Sequence, residues 1–177
     1  RYEDSLEFFG RELVMSRKAF GEDSAEVAQA LDNVASVHLS AGDYQEALLL
    51  FPDVLAARRG LLGDDADGTL TTMSNLATCY RKVGRYSEAL ELMEEMVVIH
   101  RENRSAVPDE YAFSLSRVAD LRREMGQIEE AENGFKEALR ILEESFGRDH
   151  ERTASMVMNI AVFYNSVGRY DESEAAY

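Results

Sequence analysis

The 177-residue chain is 45% apolar and 30% charged, a balance that excludes a disordered tail and predicts one unit with a continuous core. Its net charge of -15 excludes non-specific nucleic-acid binding, because a phosphate backbone needs a basic face, and no apolar run approaches the ~20 residues that span a bilayer. The lone Cys79 cannot pair within the chain, and Arg1-Tyr2-Glu3-Asp4-Ser5 lacks the basic-then-apolar pattern of a secretion signal, so a cytoplasmic setting is expected.

In chain order, apolar positions recurring at i, i+3, i+4 and i+7 predict helices over residues 1–20, 24–41 and 43–61, with Gly42 as the turn between the second and third. Pro52 falls inside the third and predicts an outward kink costing up to ~3 kcal/mol. Helices follow over 67–83, 85–103 and 109–125, with Asp109 after Pro108 read as the cap of the last of these. Two more span 127–146 and 151–167, and another starts at 169.

The turns are copies of one another. Gly42-Asp43-Tyr44-Gln45-Glu46-Ala47 returns as Gly84-Arg85-Tyr86-Ser87-Glu88-Ala89, Gly126-Gln127-Ile128-Glu129-Glu130-Ala131 and Gly168-Arg169-Tyr170-Asp171-Glu172-Ser173, at a spacing of 42 without drift. Asn33-Val34-Ala35, Asn75-Leu76-Ala77, Arg117-Val118-Ala119 and Asn159-Ile160-Ala161 keep the same step. The joints between units read Phe20-Gly21-Glu22-Asp23, Leu62-Gly63-Asp64-Asp65 and Phe146-Gly147-Arg148-Asp149, while Arg104-Ser105-Ala106-Val107 has diverged. Each glycine suits a helix C-terminus that turns through a left-handed residue. The period alone also fits other helical arrays and propeller blades, and the helical periodicity removes the propellers.

A helix, then Gly-[Arg/Asp]-Tyr-x-Glu-Ala, then a second helix resembles the tetratricopeptide repeat. The Leu-Gly-x-Asp joints and Asn-Leu-Ala helices are similar to its longer, kinesin-light-chain-like form. The resemblance covers residues 1–177 and implies an all-α fold, a right-handed superhelical array (α-solenoid) of antiparallel helix pairs, forming a single array truncated within a repeat at both ends. It departs from the family at Asp149-His150-Glu151, where a proline is usual, and at Arg117 and Ser105.

The residues give catalysis little to work with. His38, His100 and His150 occupy different repeat positions and share no ligand spacing, so neither a metal nor any other cofactor is expected. His38 reads as a partly packed, hydrogen-bonded histidine and Cys79 as a small core residue. Adjacent carboxylates such as Glu94-Glu95, Glu129-Glu130 and Glu143-Glu144 point apart on a helix, so no catalytic residue is assigned and the chain is read as a non-enzyme.

One stripe of each unit's first helix is polar or small, and the resemblance makes these stripes the floor of a concave groove. Asparagine is a modest helix former, yet it holds mid-helix positions there, and its amide can both donate to and accept from an extended backbone. The candidate peptide-binding residues are Asn33, Asn75, Lys82, Phe113, Arg117, Arg152 and Asn159. Arg117, Arg152 and Lys82 form an expected positive cluster, tempered by Asp120 and Glu124, with Phe113, Val162 and Met158 as apolar neighbours. The expected partner is therefore a protein or peptide whose segment pairs an acidic with a large apolar residue, with no nucleic acid and no membrane. The function expected is an interaction scaffold, as a cargo or complex-assembly adaptor. The alternative is a regulatory sensor array attached to a catalytic or nucleotide-switch domain. Val157, Ile160, Ala161 and Tyr164 are expected to be incompletely covered at Tyr177, favouring self-association.

Overall fold

The computed structural model describes residues 2–22, 24–103 and 107–176, and among these it is built of helices without strands. The helices are α1 (Tyr2–Phe20), α2 (Ala25–Ala41), α3 (Tyr44–Leu62), α4 (Asp67–Lys82), α5 (Tyr86–Glu102), α6 (Pro108–Glu124), α7 (Ile128–Phe146), α8 (Glu151–Ser166) and α9 (Tyr170–Ala176). Asp23 of the first joint, Arg104-Ser105-Ala106 of the divergent joint, and the terminal Arg1 and Tyr177 lie outside the described residues.

The turn glycines have positive φ, from 78° at Gly168 to 88° at Gly42. The residue after each donates back to the carbonyl five positions earlier, Asp43 to His38, Arg85 to Tyr80, Gln127 to Arg122 and Arg169 to Tyr164, each at 2.9 Å. Carbonyls orphaned at a helix end thereby find donors, and the chain reverses within two residues.

The chain forms two compact units, Arg1–Leu92 and Met93–Tyr177. In the first, Ala35 and Ala77 of the first helices and Ala47 of α3 are fully buried with Phe51, Val54, Met73 and Cys79. Burial pushes the Cys79 thiol up to about 11, which keeps it a protonated core group. In the second unit, Ala112, Ala119, Ala131 and Ala138 interleave with Phe135, Ile141, Leu142, Met156, Ile160 and Phe163. A Cβ at Gly134 would stand 3.0 Å from that of Ala119, so α6 and α7 approach closely because Gly134 has no side chain.

The structure corrects several expectations. The cap position of α6 is Val107, and the helix starts with Pro108, whose fixed φ suits a first turn and whose missing N–H would be an orphan there anyway. Asp109 is therefore inside the first turn, and its carboxylate reaches Arg152 of α8. His38 is half-buried as expected, but its Nδ1 has no hydrogen-bond partner; the Asp43 carboxylate stands 3.6 Å away, beyond bonding range. Ile160, Ala161 and Tyr164 are buried rather than uncovered, and only Val157 is intermediate. The start of α9 seals them: Ser173 Oγ donates to the Ala161 carbonyl at 2.9 Å, and Arg169 lies over the Tyr164 ring. Pro52 lies inside α3 and is exposed, in keeping with its expected outward placement.

Candidate peptide-binding groove

The first helices carry the stripes. α2 holds Asn33, α4 holds Asn75 and Lys82, α6 holds Phe113 and Arg117, and α8 holds Arg152 and Asn159. None of these side chains is buried; Phe113 is 59% exposed and Val162, on the α8 stripe, 62%. Large apolar groups left in water on helices that bury Tyr111, Leu121, Ile160 and Phe163 on their packed faces mark a surface that gains by being covered.

In the second unit Phe113, Arg117, Arg152 and Asn159 come together around a cavity of about 420 Å³ between α6 and α8. Its base is apolar, made by Met96 of α5, Leu142 of α7 and Met156 of α8, with His100 and Ser114 on one wall and Asp109 and Glu110 at the rim. A neighbouring cavity of about 370 Å³ shares Phe113, Arg117 and Asn159 and continues to Val162, Phe135 and Phe163. Asn33, Asn75 and Lys82 belong to the first unit and are not part of this assembly.

The charges are already arranged. Arg152 Nη1 is 2.7 Å from Asp109 Oδ2, and its guanidinium lies 5.2 Å from the Phe146 ring, which fixes the side chain at the cavity mouth. The Arg117 guanidinium is 6.0 Å from the Phe113 ring. Asp120, expected to temper Arg117, accepts from Arg123 Nε at 3.1 Å.

The asparagines differ. Asn33 Oδ1 accepts from Gln29 at 3.1 Å, and its Nδ2 donates to Glu12 at 3.4 Å. Asn75 and Asn159 make no side-chain hydrogen bond among the described residues, so both keep donor and acceptor for a backbone laid across them.

Sequence reasoning missed Arg58, Asp32, Met96, His100, Ser114, Leu142 and Met156. Arg58 is buried, and its Nη2 is 3.0 Å from Asp32 Oδ2. His100 is also buried; its Nδ1 shares a 2.6 Å hydrogen bond with Ser114 Oγ, and its Nε2 is 3.8 Å from Glu110 Oε2. Hydroxyl, imidazole and carboxylate in line are the parts of an acyl-transfer triad. Ser114, however, sits mid-helix in α6, where backbone N–H groups are spent on the helix and cannot serve as oxyanion donors. The trio therefore reads as a polar bridge between α5 and α6. The signal that could have found these residues is the slot at 58, 100 and 142, which runs Arg, His, Leu where a plain core position would stay apolar.

Consecutive two-helix units with glycine turns and an uncovered stripe on the first helices define a helical repeat protein. The tetratricopeptide repeat model matches residues 1–59, 50–99 and 110–177, and the chain belongs to that family. Among solved structures, the kinesin light chain nearly identical TPR-like repeats of Podosopora anserina superpose with a TM-score of 0.86 at 22% identity, covering 99% of this chain and 83% of that one. BtubC (BKLC) from P. vanneervenii gives 0.71 at 24% identity, covering 99% and 71%. A Rap protein complexed with Competence and Sporulation Factor gives 0.63 at 13% identity, covering 100% of this chain and 57% of that one. No curated protein matches the sequence.

Proposed function

We propose that the chain is a protein-interaction scaffold that holds an extended partner segment along the stripes of its first helices. The observation that carries this is the α6–α8 groove, where an apolar base, two arginines and an open asparagine surround one cavity. A repeat fold without a catalytic motif, and a fold neighbour that is a Rap protein complexed with Competence and Sporulation Factor, support binding over chemistry.

The segment that suits this groove pairs an acidic residue with a large apolar one. Carboxylates meet Arg117 and Arg152, while the apolar side chain covers Phe113, Met156 and Leu142. The asparagines hold backbone and discriminate little, so specificity comes from the residues that break the ladder. An adaptor for cargo or for complex assembly is the form this function takes. Cytoplasm, where thiols stay reduced, suits a chain whose cysteine is a buried thiol.

Fluorescence anisotropy with acidic-aromatic and basic-aromatic peptides tests the reading. The acidic peptide should bind more tightly, and Arg117→Ala should weaken it by about 2 kcal/mol. Equal affinity for both peptides, with no effect of Arg117→Ala, would remove the specificity; binding of neither would remove the groove.

A further inference from the structure

Three residues one repeat apart differ in how they carry charge. Arg58 is a permanent cation, held by Thr72 Oγ1 at 2.7 Å, the Gly68 carbonyl at 2.9 Å and Asp32 Oδ2 at 3.0 Å. Leu142 has no charge at any pH. Between them stands His100, and histidine is the side chain whose charge ordinarily changes between about pH 5 and pH 8. Its surroundings depart from those of Arg58: Ser114 takes the place of Thr72, and Glu110 that of Gly68, so a carboxylate stands where the earlier repeat offers a backbone carbonyl.

His100 is buried, with Nδ1 2.6 Å from Ser114 Oγ and Nε2 3.8 Å from Glu110 Oε2. The second distance is too long for a hydrogen bond, so the neutral ring leaves Nε2 unmatched among the described residues. The cationic ring has two donors. Nδ1–H then bonds to Ser114, and Nε2–H draws in the Glu110 carboxylate, whose side chain is 58% exposed and needs to move only about 1 Å. The other charged groups at the cavity are Asp109 and Arg117 of α6 and Arg152 of α8. From α7 it is lined by Leu142 alone, and Arg101 and Glu102, beside His100 on α5, are exposed. While His100 is neutral the two arginines balance Asp109 and Glu110. One proton tips the cavity to a net positive charge.

We propose that His100 is a proton-operated gate on segment binding: the groove holds an acidic segment more tightly when the ring is charged, and a proton is taken up as the segment binds. The proposal rests on the segment-binding reading and adds its regulation. A buried imidazolium is costly with a single carboxylate beside it. The segment brings further carboxylates to the same cavity, so proton and segment each raise the affinity for the other by the same factor. Affinity therefore rises as pH falls through the histidine range, where the segment's carboxylates, ordinarily titrating at about 4, stay charged.

The probes are a rhodamine-labelled peptide carrying one phenylalanine between glutamates and its twin with glutamines for the glutamates, measured by anisotropy at about pH 8 and about pH 6. The glutamate peptide should bind at least about fivefold more tightly at the lower pH, and the twin equally at both. His100→Gln, which can hydrogen-bond but takes up no proton, should give the glutamate peptide one affinity at both pH values. His150 is the control, because its Nδ1 accepts from the Arg152 backbone N–H at 3.2 Å; His150→Asn keeps a cap acceptor and should keep the parent's pH response. The chain has three histidines, so the His100 Cε1 proton resonance is assigned by elimination with His38→Asn and His150→Asn. In the unaltered chain it should titrate at higher pH with the glutamate peptide bound than without. Equal affinity at both pH values in the parent overturns the gate and leaves the segment reading standing. So does a response that survives His100→Gln or vanishes in His150→Asn, or a His100 titration that the peptide does not move. Failure of the glutamate peptide to bind at either pH overturns both. Should His100→Gln not fold, the His100 resonance of the unaltered chain decides the matter.

Discussion

A guanidinium taken out of water needs its donors met, and Arg58 meets carboxylate, hydroxyl, amide and carbonyl at once. Asp32 bears the cost. Burial raises its carboxyl above the ordinary range more than Arg58 lowers it, and its Oδ1 has no partner. A carboxyl raised in the folded state contributes less stability as pH climbs through its folded value, so this pair favours mild acid. Breaking it from one side should be worse than removing it. Arg58→Met is expected to cost about 3 kcal/mol in urea unfolding by stranding Asp32, whereas Arg58→Met with Asp32→Leu should recover most of that loss. Additive losses would contradict the pairing. Glu132 runs the other way. Hydrogen bonds from Arg169 and then Lys136 lower it to about 2, so its contribution is full above the ordinary carboxylate value of 4.5 and is lost as pH falls toward about 2. The melting temperature of Glu132→Gln should therefore fall less steeply than the parent's across that window; identical slopes would show that the Glu132 cluster carries no weight.

At the scale of the helix, boundaries were legible because their causes are local. A glycine with positive φ and a fixed donor to the preceding helix stops each first helix within a residue or two of where the pattern ends. Asp109 was misread because its type favours a cap, yet Pro108 starts the helix sooner and Arg152, distant in sequence, claims the carboxylate. The cavity was illegible for a different reason. Leu142 is an ordinary core residue by pattern, and only its shortness beside Arg58 and His100 leaves the space. Packing between helices also departs from the repeat average. Gly134 stands where other units have Phe8, Leu50 and Leu92, so restoring the repeat's habit with Gly134→Leu should destabilise by about 1–3 kcal/mol, because Ala119 already sits against it. Unchanged or higher stability in thermal melts would mean that α6 and α7 separate without cost.

Taken whole, the chain shares its fold with proteins only 13–24% identical to it, so the repeat frame is common property and the partner is not. What this chain adds lies on its stripes: Asn75 and Asn159 open, Asn33 tied to Gln29 and Glu12, and the α6–α8 groove with its apolar base and arginine rim. The carboxylates of a chain with net charge -15 form a solvated exterior, while at the groove Arg117 and Arg152 offset Asp109 and Glu110 and so remove the repulsion an acidic segment meets elsewhere. Segment capture in that groove is the central claim, and photo-crosslinking tests it most directly. An acidic peptide carrying benzoylphenylalanine at its aromatic position should, after irradiation and digestion, be found attached to Met96, Phe113, Leu142 or Met156. Attachment confined to the outward side chains Glu94, Lys136 and Arg140, or spread evenly over the chain, would contradict it.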